Sequence, residues 1–162
     1  MAGVYLGLGS NLGEREQNLR EALRLLGNDV AMEAVSSFYE TDPVGYLDQP
    51  DFVNAVCYGN TDLDPREMLD LAMSIESQMG RQPSFPNGPR LIDIDLLAYG
   101  GLVLSTPELT IPHPRLAERA FVLAPFAEIA PDWVHPVLGM TARELDVAVG
   151  HEGVRLLATT RG

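Results

Sequence analysis

Leu91-Ile92-Asp93-Ile94-Asp95-Leu96-Leu97 is an apolar run interrupted by two aspartates with a single residue between them. Residues two apart in a strand share a face. Asp93 and Asp95 therefore project together, while Ile92, Ile94 and Leu96 make an apolar face that belongs to a core. On this reading the two aspartate Cα atoms lie roughly 6.6 Å apart, twice the rise per residue. Carboxylates at that spacing can converge on two metal ions about 4 Å apart, the arrangement of two-metal phosphoryl transfer. Two like charges on an apolar strand are costly to bury unless a cation neutralises them. Mg²⁺ suits the role, because it takes carboxylate oxygens and shares its other positions with substrate phosphates. The competing reading is a solvated face whose acids serve solubility. An Asp-x-Asp pair also occurs in glycosyl- and nucleotidyltransferases, so alone it names no reaction.

The flanking sequence adds anion-binding groups. Gly88-Pro89 sets the approach of the chain and Arg90 precedes the aspartates; Pro112-His113-Pro114-Arg115 and Arg119 follow them. A histidine held between prolines and near two arginines is a candidate phosphate ligand, whereas His135 and His151 lack such company and read as structural or exposed. Gly7-Leu8-Gly9-Ser10-Asn11-Leu12-Gly13 looks like a phosphate-cradling loop but lacks the Lys-Ser/Thr of a Walker A loop and the dinucleotide spacing. A tight glycine turn is the favoured reading there. Phe52, Asn54 and Phe121 offer aromatic and amide groups, each of which alone reads as core.

Further out, residues 4–8 read as a short buried strand leading into the turn 9–13. From Glu14 a helix carries Leu19, Ala22, Leu23 and Leu26 on one face and ends at Gly27-Asn28. Strand sequence is expected around 34–39 and over 52–58, with a loop from 40 to 51 between them. Asp64, Pro65 and Glu67 spell a capped helix start, with Leu63 and Met68 as its hydrophobic staple. Met68, Ala72, Ile75 and Met79 continue that helix to Gly80. The three prolines and one glycine of 82–89 exclude a regular element. Strands are expected at 91–99, 102–104 and 155–159, and helices at 121–129 and 142–147. Strands in hairpin-like succession with isolated helices predict an α+β domain around a mainly antiparallel sheet, one domain over residues 1–162.

Composition bounds the function. The 162 residues, 46% hydrophobic and 21% charged, suit one soluble domain. No run is apolar enough for a membrane span, and the N-terminus enters strand sequence without a secretory pattern. The lone Cys57 can form no internal disulfide, which fits a reducing cytoplasm. A net charge of −12 argues against nucleic acid. All eleven cations are arginines. Between Arg81 and Arg119, Arg81, Arg90, Arg115 and Arg119 balance Asp93, Asp95, Glu108 and Glu118, so the remainder carries the whole negative charge. Arginine pairs planar anions, and this window hints at a small anionic ligand.

Taken together, the segments resemble the 6-hydroxymethyl-7,8-dihydropterin pyrophosphokinase family over roughly residues 4–135. The resemblance is carried by the residues from Tyr5 to Gly13, Ser36-Ser37-Phe38-Tyr39-Glu40-Thr41, Asp48-Gln49-Pro50-Asp51-Phe52-Val53-Asn54-Ala55, Ile75-Glu76 and Gly80-Arg81. Gly88-Pro89-Arg90 running into the Asp93–Asp95 strand is the most specific part, with Ile111-Pro112-His113 and Arg119-Ala120-Phe121-Val122-Leu123 behind it. The resemblance implies a ferredoxin-like α/β sandwich acting as a cytoplasmic monomer, with diphosphate passing from ATP to the pterin hydroxyl and AMP leaving. It implies that Asp93 and Asp95 hold two Mg²⁺ ions, and that Arg81, Arg90, His113 and Arg119 neutralise the transferring phosphates. Glu76 would sit on the nucleotide side, Phe52 and Phe121 would sandwich the pterin, and Asn54 with the backbone at Thr41, Pro43 and Val44 would bond its polar edge. Asp95 would assist the attacking hydroxyl. Pro86 and Asn87 stand where the family commonly has a basic residue and an aromatic, with Phe85 as a substitute ring. Phe52 replaces a frequent tyrosine. Two other readings stay open: a Mg²⁺-dependent transferase with a different acceptor, and a catalytically silent ligand-binding module.

Overall fold

Three long strands pair side by side and carry much of the sheet's buried surface. The computed structural model of the chain describes residues 1–80 and 88–157. Strand β1 (Ala2–Ser10) pairs antiparallel with β4 (Phe52–Thr61) on one side and with β5 (Asp93–Tyr99) on the other. Along the far edge of β4 lie β2 (Ala31–Val35) and then β3 (Tyr39–Thr41), and β8 (Val154–Leu156) adds to β3. Helix α1 (Arg15–Leu26) follows β1 and α2 (Pro65–Gln78) joins β4 to β5. The strand order β5-β1-β4-β2 with this helix placement is the β-α-β-β-α-β arrangement of the ferredoxin-like fold. Every neighbouring pair is antiparallel, as the sequence predicts.

Each face of the sheet has its own core. Val4, Leu6 and Leu8 of β1 with Ile94 and Leu96 of β5 point toward α1 and α2, where Leu19, Leu26, Met68 and Ile75 cover them. On the opposite face Tyr5, Val56 and Leu97 pack under α3 (Ala120–Ile129) and α4 (Ala142–Val149). Tyr5 stacks on Phe126 at 4.7 Å, and Trp133 closes on the same ring at 4.9 Å. These two helices cover only part of their face. The stretch over Gly7, Gly9, Asn54, Asp93 and Asp95 is left open, and that opening is where the cleft forms.

Several expected elements differ in detail, for tertiary reasons. The strand expected at 34–39 is two strands with a break at 36–38. Ser36 takes the Val56 N–H on its hydroxyl at 3.0 Å, and the Ser37 N–H leaves the ladder for the Glu128 carboxylate of α3 at 2.9 Å. Glu40 and Thr41, expected in a loop, complete β3. The short strand expected at 102–104 is β6 (Leu104–Ser105), paired with the unforeseen β7 (Thr110–Ile111) off the main sheet. In α1, Leu25 is buried with Leu19, Ala22 and Leu26, whereas Leu23 is half-buried. The strand expected at 155–159 is β8, beginning one residue earlier, and residues 158–159 lie outside the described residues. No helix among the described residues is long and apolar enough to cross a membrane.

Candidate active site

The floor of the site is set by register. Gly7 of β1 lies opposite Asp95 on one side and Val56 on the other, and Gly9 lies opposite Asp93 and Asn54. Two glycines two residues apart leave the middle of this face without side chains. A Cβ on Gly9 would fall 2.6 Å from Asn54 Oδ1, so the amide occupies the space a side chain would need. The glycine segment is therefore neither a phosphate-cradling loop nor simply a turn, because β1 runs on through Gly9 to Ser10. The turn proper begins at Asn11, whose buried side chain ties three segments together. It accepts the Arg90 N–H at 2.8 Å and donates to Gln49 Oε1 and the Pro50 carbonyl at 2.8 and 2.9 Å. Sequence reasoning missed this role, because only the folded chain brings residues 49, 50 and 90 to one amide.

Above this floor lies a cleft of about 260 Å³. Asp93 and Asp95 line it from one side, with Arg90, His113 and Arg119 alongside. Thr41, Val44, Phe52, Asn54 and Phe121 line it too. Across the sheet the carboxylates on β5 stand two strands from Asn54 on β4, roughly 10 Å at the usual strand spacing. Asn54 is buried and its amide nitrogen donates to Thr41 Oγ1 at 2.6 Å, so its orientation is set before any ligand arrives. The Arg119 guanidinium lies 5.4 Å from the Phe121 ring centre, a cation–π placement at the start of α3.

His113 is held by its backbone, whose N–H donates to the Leu97 carbonyl at 2.9 Å, and by its ring, whose Nδ1 accepts the Arg115 N–H at 3.2 Å. Burial first, then the positive charge of Arg119, push the imidazole down to about 4; Asp93 pulls the other way, and Arg115 adds a further lowering. At neutral pH the ring is uncharged with Nδ1 as acceptor, leaving Nε2–H as a donor. A neutral His113 thus presents an uncharged donor to the cleft, beside Arg90 and Arg119 in its lining.

Two expected residues do not line the cleft. Glu76 is buried under β5, where its carboxylate accepts the Ile94 N–H at 2.8 Å. It braces the edge strand between the two aspartates, and it does not line the cleft on the nucleotide side where the resemblance puts it. Pro43 faces an adjoining recess shared with Arg115 and Val154. Arg81, and Phe85 with it, lies outside the described residues. His135 is buried and accepts the Val137 and Leu138 N–H groups, and His151 pairs with Asp146 on the surface, as their sequence context suggests.

The donor set fits a hard divalent cation. Two carboxylates share one strand face inside a cleft that also holds arginines for phosphate oxygens, leaving most of the coordination sphere to water and substrate. No group of three or more His, Cys, Asp or Glu able to hold a metal occurs among the described residues. An ion held by the two carboxylates would take its remaining oxygens from water or substrate.

Residues 5–131 match the family described as 7,8-dihydro-6-hydroxymethylpterin-pyrophosphokinase. The Bacillus subtilis 2-amino-4-hydroxy-6-hydroxymethyldihydropteridine pyrophosphokinase is 48% identical over 128 residues, covering 78% of this chain and 77% of that protein. The enzyme of the same name from Methylorubrum extorquens is 42% identical over 156 residues, 95% of this chain and 98% of its own. The Dictyostelium discoideum folic acid synthesis protein is 41% identical over 150 residues, and there the chain spans only 23% of the relative. Among solved structures, Plasmodium falciparum HPPK-DHPS superposes with a TM-score of 0.73 at 19% identity, over 91% of this chain and 43% of that one, which shows the shared fold. With its own carboxylate strand, arginines and aromatic pair gathered in one cleft, the chain belongs to the 7,8-dihydro-6-hydroxymethylpterin-pyrophosphokinase family.

Proposed function

We propose that the chain transfers diphosphate from ATP to the hydroxyl of 6-hydroxymethyl-7,8-dihydropterin, releasing AMP, as a step of folate biosynthesis. The observation that carries this reading is one cleft holding two chemistries. Paired carboxylates and arginines suit a metal-bound triphosphate, and two phenylalanines with a pre-oriented amide suit a flat, polar-edged heterocycle. Asp93 and Asp95 are the residues that would hold two Mg²⁺ ions. When bound, such ions neutralise phosphate charge and lower the cost of deprotonating an attached hydroxyl.

The chain's own groups do the rest. Arg90 and Arg119, with Arg81 by resemblance, orient the triphosphate and balance charge on its equatorial oxygens. His113 donates an uncharged Nε2–H to a phosphate oxygen. Phe52 and Phe121 cover the two faces of the pterin, and Asn54 with the backbone at Thr41 and Val44 bonds its edge. The pterin hydroxyl oxygen bonds to the β-phosphorus as the bond from that phosphorus to the α,β-bridging oxygen breaks. AMP keeps the bridging oxygen, and the hydroxyl proton passes to Asp95. The chain works as a single-domain monomer in the cytoplasm, with these two small molecules as its partners. Mass spectrometry of products from protein, Mg²⁺, ATP and the pterin tests the reading. AMP and a pterin diphosphate are expected; ADP with a pterin monophosphate would overturn it.

A further inference from the structure

The loop 42–51 joins β3 to β4, and Thr41 pairs with Phe52 at its neck. Both ends of this loop are held by one side chain from β8. Arg155 Nη1 donates to Asp42 Oδ1 at 2.9 Å and Nη2 donates to Asp51 Oδ2 at 2.9 Å, with Glu40 Oε1 at 3.8 Å. Glu40 also faces Arg155 across the β3–β8 ladder, and the Asp42 N–H donates to the Gly153 carbonyl at 2.9 Å. From below, Arg15 at the foot of α1 pairs with Glu40 at 2.9 Å and donates to the Asp51 carbonyl at 3.0 Å. Three carboxylates thus crowd one neck, and Arg155 is the group that touches all three.

The same loop meets the cleft. Asp42 and Val44 line it, and so do Thr41 and Phe52 at the neck. Arg155 lines neither the cleft nor its adjoining recess. Exposed ion pairs are individually weak, and a guanidinium bridging both ends of one loop differs in that it removes freedom from everything between them. Without it the bridge between Asp42 and Asp51 is lost and the carboxylates at the neck repel, while Arg15 still holds Glu40 and the Thr41–Phe52 pairing remains.

We propose that Arg155 is a positioning residue that clasps loop 42–51 and so shapes the acceptor half of the site, leaving the phosphate half untouched. This rests on the pterin reading of Phe52, Asn54 and Thr41. Steady-state kinetics of wild type, Arg155→Ala and Arg155→Lys, with each substrate varied, test it. Arg155→Ala should raise KM for the pterin roughly three- to tenfold while KM for ATP and kcat stay within about twofold. Lysine, which has the charge but not the planar fork, should restore part of the loss. Raising ionic strength to about 0.5 M should move the wild-type pterin KM toward the Arg155→Ala value, because salt screens exposed pairs. An unchanged pterin KM would overturn the proposal. So would a fall in kcat with both KM values unmoved, the signature of a smaller folded fraction. A wild type that releases no AMP defeats the proposed reaction instead. Calorimetric titration of the pterin then decides for Arg155, since equal Kd values, or no pterin binding at all, overturn its role.

Discussion

Asp93 and Asp95 hold the same face because of the strand period alone, and both line the cleft. Replacing either by alanine should cut AMP formation roughly a hundredfold or more at saturating Mg²⁺, because each would remove an anchor of a two-metal clamp. Thermal melts should show the fold intact, since loss of one carboxylate relieves repulsion with its neighbour. A variant with near-normal turnover would take that aspartate out of the metal role. His113 makes a prediction about pH. Its folded value of about 4 lies below the ordinary 6.5, so the unfolded chain takes up the proton first. Its contribution is then steady above about pH 6.5, and the native state loses stability as pH falls from there toward 4. In urea unfolding of metal-free protein at pH 7 and pH 5, His113→Asn should lose less stability between the two than wild type does. Equal losses would mean that the imidazole is not held neutral by the fold.

At the scale of elements, α2 is written almost entirely in local sequence. The Asp64 carboxylate accepts the Glu67 N–H at 2.8 Å, and the Glu67 carboxylate accepts the Asp64 N–H at 2.9 Å. Pro65 takes the first helical position, and the fully buried Met68 packs one turn beyond the half-buried Leu63. Gly80, at φ +88°, turns the chain out of the helix. Asp64→Ala should cost about 1 kcal/mol of stability. Its kcat should be unchanged, since the cap lies outside the cleft, and urea unfolding beside the AMP assay reads both. A loss of activity without a loss of stability would contradict this assignment. Strand β5 has a nonlocal feature as well. Tyr5 pairs with Ala98 and Leu6 with Leu96, so Leu97 is the extra residue of a β-bulge. Its side chain packs under α3 and α4, and its carbonyl takes the His113 N–H. The bulge thus helps to place the histidine beside the aspartate strand.

Over the whole molecule, the aromatic pair depends on two distant elements, since Phe52 opens β4 and Phe121 sits in the first turn of α3. Both rings are half-buried at the cleft. Truncating either to alanine should weaken pterin binding by about 1–3 kcal/mol, as for bases stacked on aromatic side chains, and should leave ATP binding nearly unchanged. If the rings served packing alone, the melting temperature would fall and both ligands would weaken together, since a buried Phe→Ala costs roughly 3–5 kcal/mol. Calorimetry of each ligand beside thermal melts separates the outcomes. The sequence by itself determined the features that rest on short periods and neighbouring hydrogen bonds: the two faces of β5, the capped start of α2, the antiparallel α+β class and, through its motifs, the family. The tertiary structure decided where those features meet. It drew Gly9, expected in a turn, into β1 and made it with Gly7 the floor of a cleft, because their meaning lies in the strands opposite them. It withdrew Glu76 to brace β5 and broke a strand at Ser37 for the sake of Glu128. Such contacts join residues far apart in the chain, and no local pattern of side chains encodes which backbone N–H a distant carboxylate will reach.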